Sequence, residues 1–240
     1  MKQGLFGGTF NPVHNGHIKV ICHVKKELGL DKIHVIPSAV PPHKTAVNLA
    51  SAEDRLEMVR CSIKSVPGLS ASDIELKRKG PSFTIDTINQ FMDQFRKTPD
   101  NTLQCQIDQT SSQDYTHKET FKPELYLIMG SDAFFDITTW KKNMEIFNLT
   151  PVVVMLRPWQ KKRVNHIARF IKNMISKNYI YNEFTGSFFN PAMMDIHICK
   201  VPEVELSSTL IRKRVQQHLS INSMVPPCVE KIIRKRGLYL

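Results

Sequence analysis

The spacing of apolar and polar positions changes several times along this chain, and each change marks an element. Residues 3–6 are a short apolar run that enters the turn-rich stretch Gly7-Gly8-Thr9-Phe10-Asn11-Pro12, the pattern of a buried strand leading into a loop. From Asn15 the spacing becomes helical, with Ile18, Ile21, Cys22, Val24 and Leu28 on one stripe and Gly29 just past its end. A second strand is predicted over 32–37, where Ile33, Val35 and Ile36 are apolar, and a proline-rich loop over 37–44 follows it. Ser51-Ala52-Glu53-Asp54 has the form of a capping box ahead of a helix carrying Leu56, Met58, Val59 and Ile63. Residues 84–95 predict another amphipathic helix, with Ile85, Ile88, Phe91, Met92 and Phe95 as its apolar stripe.

Further strands are predicted over 125–129, 152–156 and 196–201, a basic helix over 161–177, a helix capped by Ser207 or Ser208, and a terminal helix over 227–236 closed by Gly237. Residues 98–122, rich in Thr, Gln, Ser and Asp, read as a long insertion, and 178–191 carry no clear pattern. Up to about residue 160 strands alternate with helices, which predicts an α/β fold with a parallel sheet flanked by helices. With no repeat or linker, 1–240 reads as a single domain with insertions near 97–122 and 161–191.

Composition narrows the class. A length of 240 residues, 41% hydrophobic and 23% charged, is ordinary for a globular chain with a real core. No apolar run approaches the roughly 20 residues of a membrane helix. The N-terminus lacks the pattern of a signal peptide, so a cytoplasmic location is expected. The net charge of +11 favours anionic partners without choosing among nucleotides, nucleic acid and membrane surface. The five cysteines are scattered, odd in number and form no C-x-x-C pair, which argues against a disulfide framework or zinc site and predicts small buried apolar residues.

The strongest chemical signal is the strand-to-helix junction ending in His14-Asn15-Gly16-His17. Ligands of open α/β sheets bind beyond the carboxyl ends of the strands. Small residues there let backbone approach a phosphate, and the helix N-terminus favours an anion. Histidines three apart can face the same way and donate to phosphate oxygens, more strongly when protonated. Ser207-Ser208-Thr209-Leu210-Ile211-Arg212 could grip a phosphate with hydroxyls and a guanidinium. Lys44 follows Pro41-Pro42-His43 as a charge on a stiffened loop, while Asp132 follows Gly130-Ser131 and Trp140 lies a little further on. Each fragment by itself also reads as something ordinary: a glycine turn, surface histidines or a metal pair, a helix cap, a solvated lysine, a core tryptophan. Their combination and order are more specific.

These segments, in this order, resemble bacterial nicotinate-nucleotide adenylyltransferases, of the nucleotidyltransferase superfamily with an H-x-G-H signature, here His14 to His17. The likeness extends to Pro42-His43-Lys44, Pro81-Ser82-Phe83-Thr84-Ile85-Asp86-Thr87, Gly130-Ser131-Asp132 with Trp140, Arg157-Pro158, 207–212, and the tail from Val225-Pro226-Pro227 to Gly237-Leu238-Tyr239. H-x-G-H alone identifies the superfamily; the Pro-Ser-Phe-Thr and Trp140 segments point to the nicotinate branch. The resemblance implies a Rossmann-like fold. It implies transfer of AMP from ATP to nicotinate mononucleotide, giving deamido-NAD and pyrophosphate, with Mg²⁺ held mainly by ATP phosphates and no metal ligand from the protein.

It also implies roles. His14, His17, Lys44 and Arg212 would be catalytic, acting on phosphate charge. Gly7, Gly8, Thr9, Phe10, Ser208 and Thr209 would line the ATP site. Thr84 would present N–H groups to the nicotinate carboxylate, Trp140 would stack on the pyridine, Asp132 would bind a ribose and Arg157 the mononucleotide phosphate. Residues 98–122 and 161–191 look longer than the family norm, and Asn11 stands where the family often has Asp. Two alternatives stay open: adenylyl or cytidylyl transfer to another phosphate acceptor (nicotinamide mononucleotide, phosphopantetheine), and a basic nucleic-acid-binding protein, which lacks any RRM, KH or zinc-finger pattern here. The expected partners are ATP and nicotinate mononucleotide, without nucleic acid or membrane; a homo-oligomer is left open.

Overall fold

The fold is that of a computed structural model, which describes residues 1–39, 49–78, 80–97, 124–157 and 163–240. Lys44, Pro158 and almost all of 97–122 therefore lie outside the described residues. Eight strands form one sheet in the order β3-β2-β1-β4-β5-β8-β7-β6. They are β1 (Lys2–Gly8), β2 (Lys32–Pro37), β3 (Leu69–Ala71), β4 (Glu124–Gly130), β5 (Val152–Leu156), β6 (Ile180–Asn182), β7 (Ser187–Asn190) and β8 (Met193–Lys200). The six strands from β3 to β8 in that order pair in parallel, as the Rossmann-like reading expects. β7 and β6 then extend the sheet antiparallel, so it is mixed rather than wholly parallel.

Helices cover both faces. They are α1 (Asn15–Glu27), α2 (Ala52–Ile63), α3 (Thr84–Lys97), α4 (Ser131–Phe135), α5 (Asn143–Leu149), α6 (Arg163–Phe170), α7 (Ser208–Gln216) and α8 (Pro227–Arg236). Alternate residues of the central strands enter different cores, because successive side chains of a strand point to opposite faces. Phe6, Ile33, Val35, Ile128 and Val153 join α1, α2, α7 and α8 in one core. Leu5, Ile36, Leu127, Val152 and Val154 join α3, α4, α5 and α6 in the other.

The helix starts follow the sequence signals where these are local. Ser51 Oγ accepts the backbone N–H of Asp54 at 3.0 Å, capping α2. Gly237 takes a left-handed φ of 58° just past α8. Three regions differ from expectation. The predicted basic helix over 161–177 is α6 followed by a π-helical stretch, Ile171–Ile175. The unpatterned 178–191 holds the β6–β7 hairpin, whose apolar residues point both inward and outward and so give no clean alternation. The last strand of the chain begins at Met193 rather than 196.

The cysteine expectation is also corrected. Cys61 of α2 and Cys228 of α8 form a disulfide with Cα atoms 6.1 Å apart across a sequence separation of 167, a pairing no spacing rule reveals. Cys199 is buried as expected. No helix among the described residues is long and apolar enough to cross a membrane.

Candidate active site

In the strand order, β1 and β4 are neighbours, and the chain crosses from one side of β1 to the other between them. That reversal opens a crevice at the carboxyl ends of the two strands, where open α/β sheets bind ligands. A cavity of about 630 Å³ lies there. Its lining includes Thr9 to Asn11 after β1, His14 and His17 at the start of α1, Gly130 to Asp132 at the end of β4, Met155 and Arg157 at the end of β5, and Ser207 to Thr209 with Arg212 at the start of α7.

The two histidines cap the helix they belong to. His14 Nδ1 accepts the backbone N–H of His17 at 3.3 Å, and His17 Nδ1 accepts the backbone N–H of His14 at 3.2 Å. This reciprocal arrangement satisfies the His14 N–H and supplements the bond that the His17 N–H makes to the His14 carbonyl at 2.9 Å, with imidazoles doing what Ser and Glu do in the usual capping box. A nitrogen that accepts carries no proton, so each neutral ring holds its proton on Nε2. The rings stack with centroids 3.6 Å apart. Burial, then the charge of Arg157, lowers the pKa of His14 to about 4. His14 is therefore a neutral donor at neutral pH.

Packing fixes where the pair sits. Gly16 lies where α1 crosses the 201–206 segment, and a Cβ there would collide with Val204 and come within 3.0 Å of the His14 ring. Phe10 is buried at a left-handed φ of 46°, which costs energy for a bulky residue. Its ring lies against the Gly8 backbone, where a Cβ would come within 2.9 Å, and meets the His17 ring edge-on at 5.2 Å. Gly7 and Gly8 themselves are not among the cavity-lining residues; they end β1, and only at Gly8 would a Cβ meet a neighbour, the Phe10 ring.

The loop is then tied down by residues far away in sequence. The Arg212 guanidinium donates to the Asn11 carbonyl at 2.8 Å and to Thr209 Oγ1 at 3.3 Å. Ser208 Oγ donates to the Pro12 carbonyl at 2.8 Å, and Ser207 caps α7 by accepting the N–H of Leu210. Asn11 Oδ1 accepts the backbone N–H of Ala50 at 3.0 Å and the hydroxyl of Tyr239 at 2.8 Å. Arg55, 1% exposed, donates to the carbonyls of Thr9, Ser38, Ala39 and Ala50. A buried guanidinium is tolerated when its donors are all aimed at acceptors in this way.

Arg55 and Tyr239 were not foreseen as site residues. The signal for Arg55 was present: it sits three and four positions before Met58 and Val59, on the buried stripe of α2. Nothing local marks Tyr239.

Of the residues expected at the site, His14, His17, Thr9, Phe10, Asp132, Arg157, Ser208, Thr209 and Arg212 come together around the cavity. Thr84 and Trp140 do not line it. They belong to a neighbouring region, where Lys141 pairs with Asp86 at 3.0 Å and its ammonium lies 4.7 Å from the centre of the Phe83 ring. Trp140 packs, half-buried, on the second core. Arg78 donates to the Phe83 carbonyl and to Thr87 Oγ1, bracing the turn ahead of α3. Among the described residues no group of three His, Cys, Asp or Glu side chains could hold a metal ion.

Residues 5–214 match the family model described as cytidylyltransferase-like. A protein of Desulfatibacillum aliphaticivorans named "Probable nicotinate-nucleotide adenylyltransferase" is 35% identical over 245 residues, covering 100% of both chains. One of the same name from Caldicellulosiruptor saccharolyticus is 34% identical over 239 residues, covering 100% of this chain and 99% of its own. Among solved structures, the nicotinic acid mononucleotide adenylyltransferase of Plasmodium falciparum complexed with NaAD superposes with a TM-score of 0.67 at 16% identity, covering 99% of this chain and 97% of that one. At that identity the likeness is one of fold.

Proposed function

Because the chain belongs to the cytidylyltransferase-like family, and within it to the nicotinate-nucleotide adenylyltransferases, we propose that the cavity between β1 and β4 is where its reaction takes place. The protein is an adenylyltransferase of NAD biosynthesis. It transfers AMP from ATP to nicotinate mononucleotide and releases pyrophosphate.

In this reading a phosphate oxygen of nicotinate mononucleotide attacks the α-phosphorus of ATP in line. The new P–O bond forms as the bond to the pyrophosphate oxygen breaks. The attacking phosphate is already an anion at neutral pH, so no strong general base is needed. What the protein supplies is position and compensation of charge on the pentavalent phosphate and the departing pyrophosphate.

The observation that carries the assignment is the His14/His17 reciprocal cap. It fixes two neutral imidazoles with their protons on Nε2 at the cavity wall. Both would donate to ATP phosphate oxygens. Arg212, held by the Asn11 carbonyl, would meet the β,γ end together with Thr209. Ser208 has the different role of anchoring the loop through Pro12. Arg157 suits the mononucleotide phosphate and Asp132 a ribose; both lie on the β4–β5 side of the cavity. The Thr84 and Trp140 region would hold the nicotinate ring, and Lys44, outside the described residues, would neutralise phosphate charge. Mg²⁺ would enter with ATP as part of the substrate, bound by phosphate oxygens and water, with Asp132 the acidic group among the described lining residues. The cytoplasm is the compartment of this reading. The α2–α8 contact there also has Arg236 paired with Asp54 and Glu57, besides the Cys61–Cys228 link.

The test is incubation with ATP and Mg²⁺ and either nicotinate or nicotinamide mononucleotide, following dinucleotide and pyrophosphate. Product mainly from nicotinate mononucleotide is expected. Equal product from both would keep the reaction and remove the selectivity for nicotinate. No product from either, in folded protein that binds ATP, would remove the acceptor.

A further inference from the structure

Two helices hold the histidine loop from outside the cavity, and they pack against each other. α2 supplies Arg55, which donates to the carbonyls of Thr9 and Ala50 among others. Tyr239, just past α8, donates its hydroxyl to Asn11 Oδ1 at 2.8 Å. The pair is antiparallel. Cys61, in the last turn of α2, meets Cys228 at the start of α8, while Arg236, at the end of α8, meets Asp54 and Glu57 near the start of α2. Arg55 and Tyr239 both belong to the ion-paired end. Between the two fastenings in sequence, Met58 and Val59 of α2 and Val229 and Ile233 of α8 join the same core.

The two fastenings differ in kind. The ion pairs are partly exposed, and such pairs are weak and screened. The disulfide is covalent and joins residues 167 positions apart, a link that removes much of the freedom of the unfolded chain. In the cytoplasm, the compartment of the proposed function on which this step rests, thiols are kept reduced, and the disulfides that do form are transient, catalytic or redox-sensing. Neither sulfur is sealed off: Cys61 and Cys228 are half-buried, whereas Cys199 is buried.

Both positions also suit the reduced form. The Met58 carbonyl lies 3.4 Å from Cys61 Sγ, placed to accept from a thiol there. Cys228 is the second residue of α8, where the N–H groups and dipole of a helix start favour a thiolate. Glu230, the acid of that turn, is paired with Arg234.

We infer that Cys61–Cys228 is a reversible thiol–disulfide site that sets how firmly the histidine loop is held, with a dithiol as its reductant. The step is a two-electron exchange. A thiolate of the dithiol attacks Cys61 Sγ, the Sγ–Sγ bond breaks, and Cys228 leaves as a thiolate. The second thiol of the reductant then displaces Cys61 and closes the reductant's own disulfide. The two protons that the dithiol gives up end on the two cysteines. In the reduced chain packing and the screened ion pairs alone hold α8 to α2, and the grip of Arg55 and Tyr239 on the loop slackens.

Differential alkylation of the full chain before and after millimolar dithiothreitol, read by peptide mass mapping, should show Cys61 and Cys228 passing together from disulfide to thiol. Hydrogen exchange in the native protein should then quicken about tenfold over residues 9–17 and stay unchanged in β5. The kcat should fall about three- to tenfold with the KM for nicotinate mononucleotide unchanged, and oxidised glutathione should restore both readouts. Cys61→Ser should behave as the reduced chain, ignore dithiothreitol and melt about 5–10 °C lower. Tyr239→Phe keeps the disulfide but removes the hydroxyl on Asn11, so its loop should exchange faster from the start and respond less to dithiothreitol. Cysteines that stay thiols in oxidised glutathione, a disulfide that resists dithiothreitol, or a reduction that leaves the loop unchanged each overturn the inference. A full loop response in a chain that forms no dinucleotide supports it and strikes the proposed function instead.

Discussion

The cavity wall at the two histidines and the region of Thr84 and Trp140 are held by different means. Around the two histidines, every element that touches the cavity is fastened to backbone. The imidazoles cap α1, Arg212 and Ser208 grip the carbonyls of Asn11 and Pro12, and Arg55 gathers four more carbonyls. Around Thr84 and Trp140, Arg78 and Asn143 donate to the Phe83 and Thr138 carbonyls, but the link between the two segments is the Lys141–Asp86 pair, at a side-chain exposure of 43% and 33%. Backbone-anchored groups in a buried loop are preorganised and cost nothing to arrange at the moment of reaction. A half-exposed ion pair is weak and screened, and leaves its segments room to adjust.

The largest expected effect comes from Arg55. Arg55→Met leaves one buried and three part-buried carbonyls without their donor and should cost about 4 kcal/mol in denaturant unfolding. A loss below about 1 kcal/mol would mean that the loop is not held this way. His17→Ala comes next. It should lower kcat about 10²- to 10³-fold while the KM for nicotinate mononucleotide barely moves, a split read directly from steady-state kinetics. Near-normal turnover would sink the phosphate assignment.

Acid pH probes the same anchoring. His14 and His34 both have their pKa lowered from 6.5 to about 4, in each case chiefly by burial. As pH falls below 6.5 the unfolded chain takes up these protons before the folded one does. The stability they contribute is complete above pH 6.5 and is lost between 6.5 and 4, up to roughly 3 kcal/mol for His14. Thermal melts across that window should show it, and replacing His14 by Asn should flatten the slope. Lys141→Ala should have the smallest effect, raising the KM for nicotinate mononucleotide about two- to fivefold with kcat unchanged. A loss of kcat as large as that of His17→Ala would erase the contrast between the two regions.

Much of this site was legible because its strongest motif is local. Residues 7–17 carry the strand end, the turn and both histidines within a few residues, and the periodicity on either side assigns strand and helix. The Ser207–Arg212 segment was legible as a helix start with an arginine one turn on, but not as the anchor of the first loop. The expected meeting of Trp140 with the cavity did not appear among its lining residues, because adjacency in an ordered list of motifs carries no distance. The β6–β7 hairpin escaped altogether: strands are read from a polar side facing water, and here apolar residues occupy that side as well.

The sequence by itself determined which residues face inward and in what rhythm, because burial of one strand face or one helix stripe leaves a short-period record in the chain. That was enough for the α/β architecture and the place of the histidines. Tertiary structure alone decided which polar groups meet. Tyr239 reaches Asn11 across a separation of 228 residues, Arg212 reaches the same residue across 201, and Cys61 finds Cys228. Such pairings satisfy buried donors and acceptors whose partners are set by how helices dock on the sheet, and no local pattern records that docking.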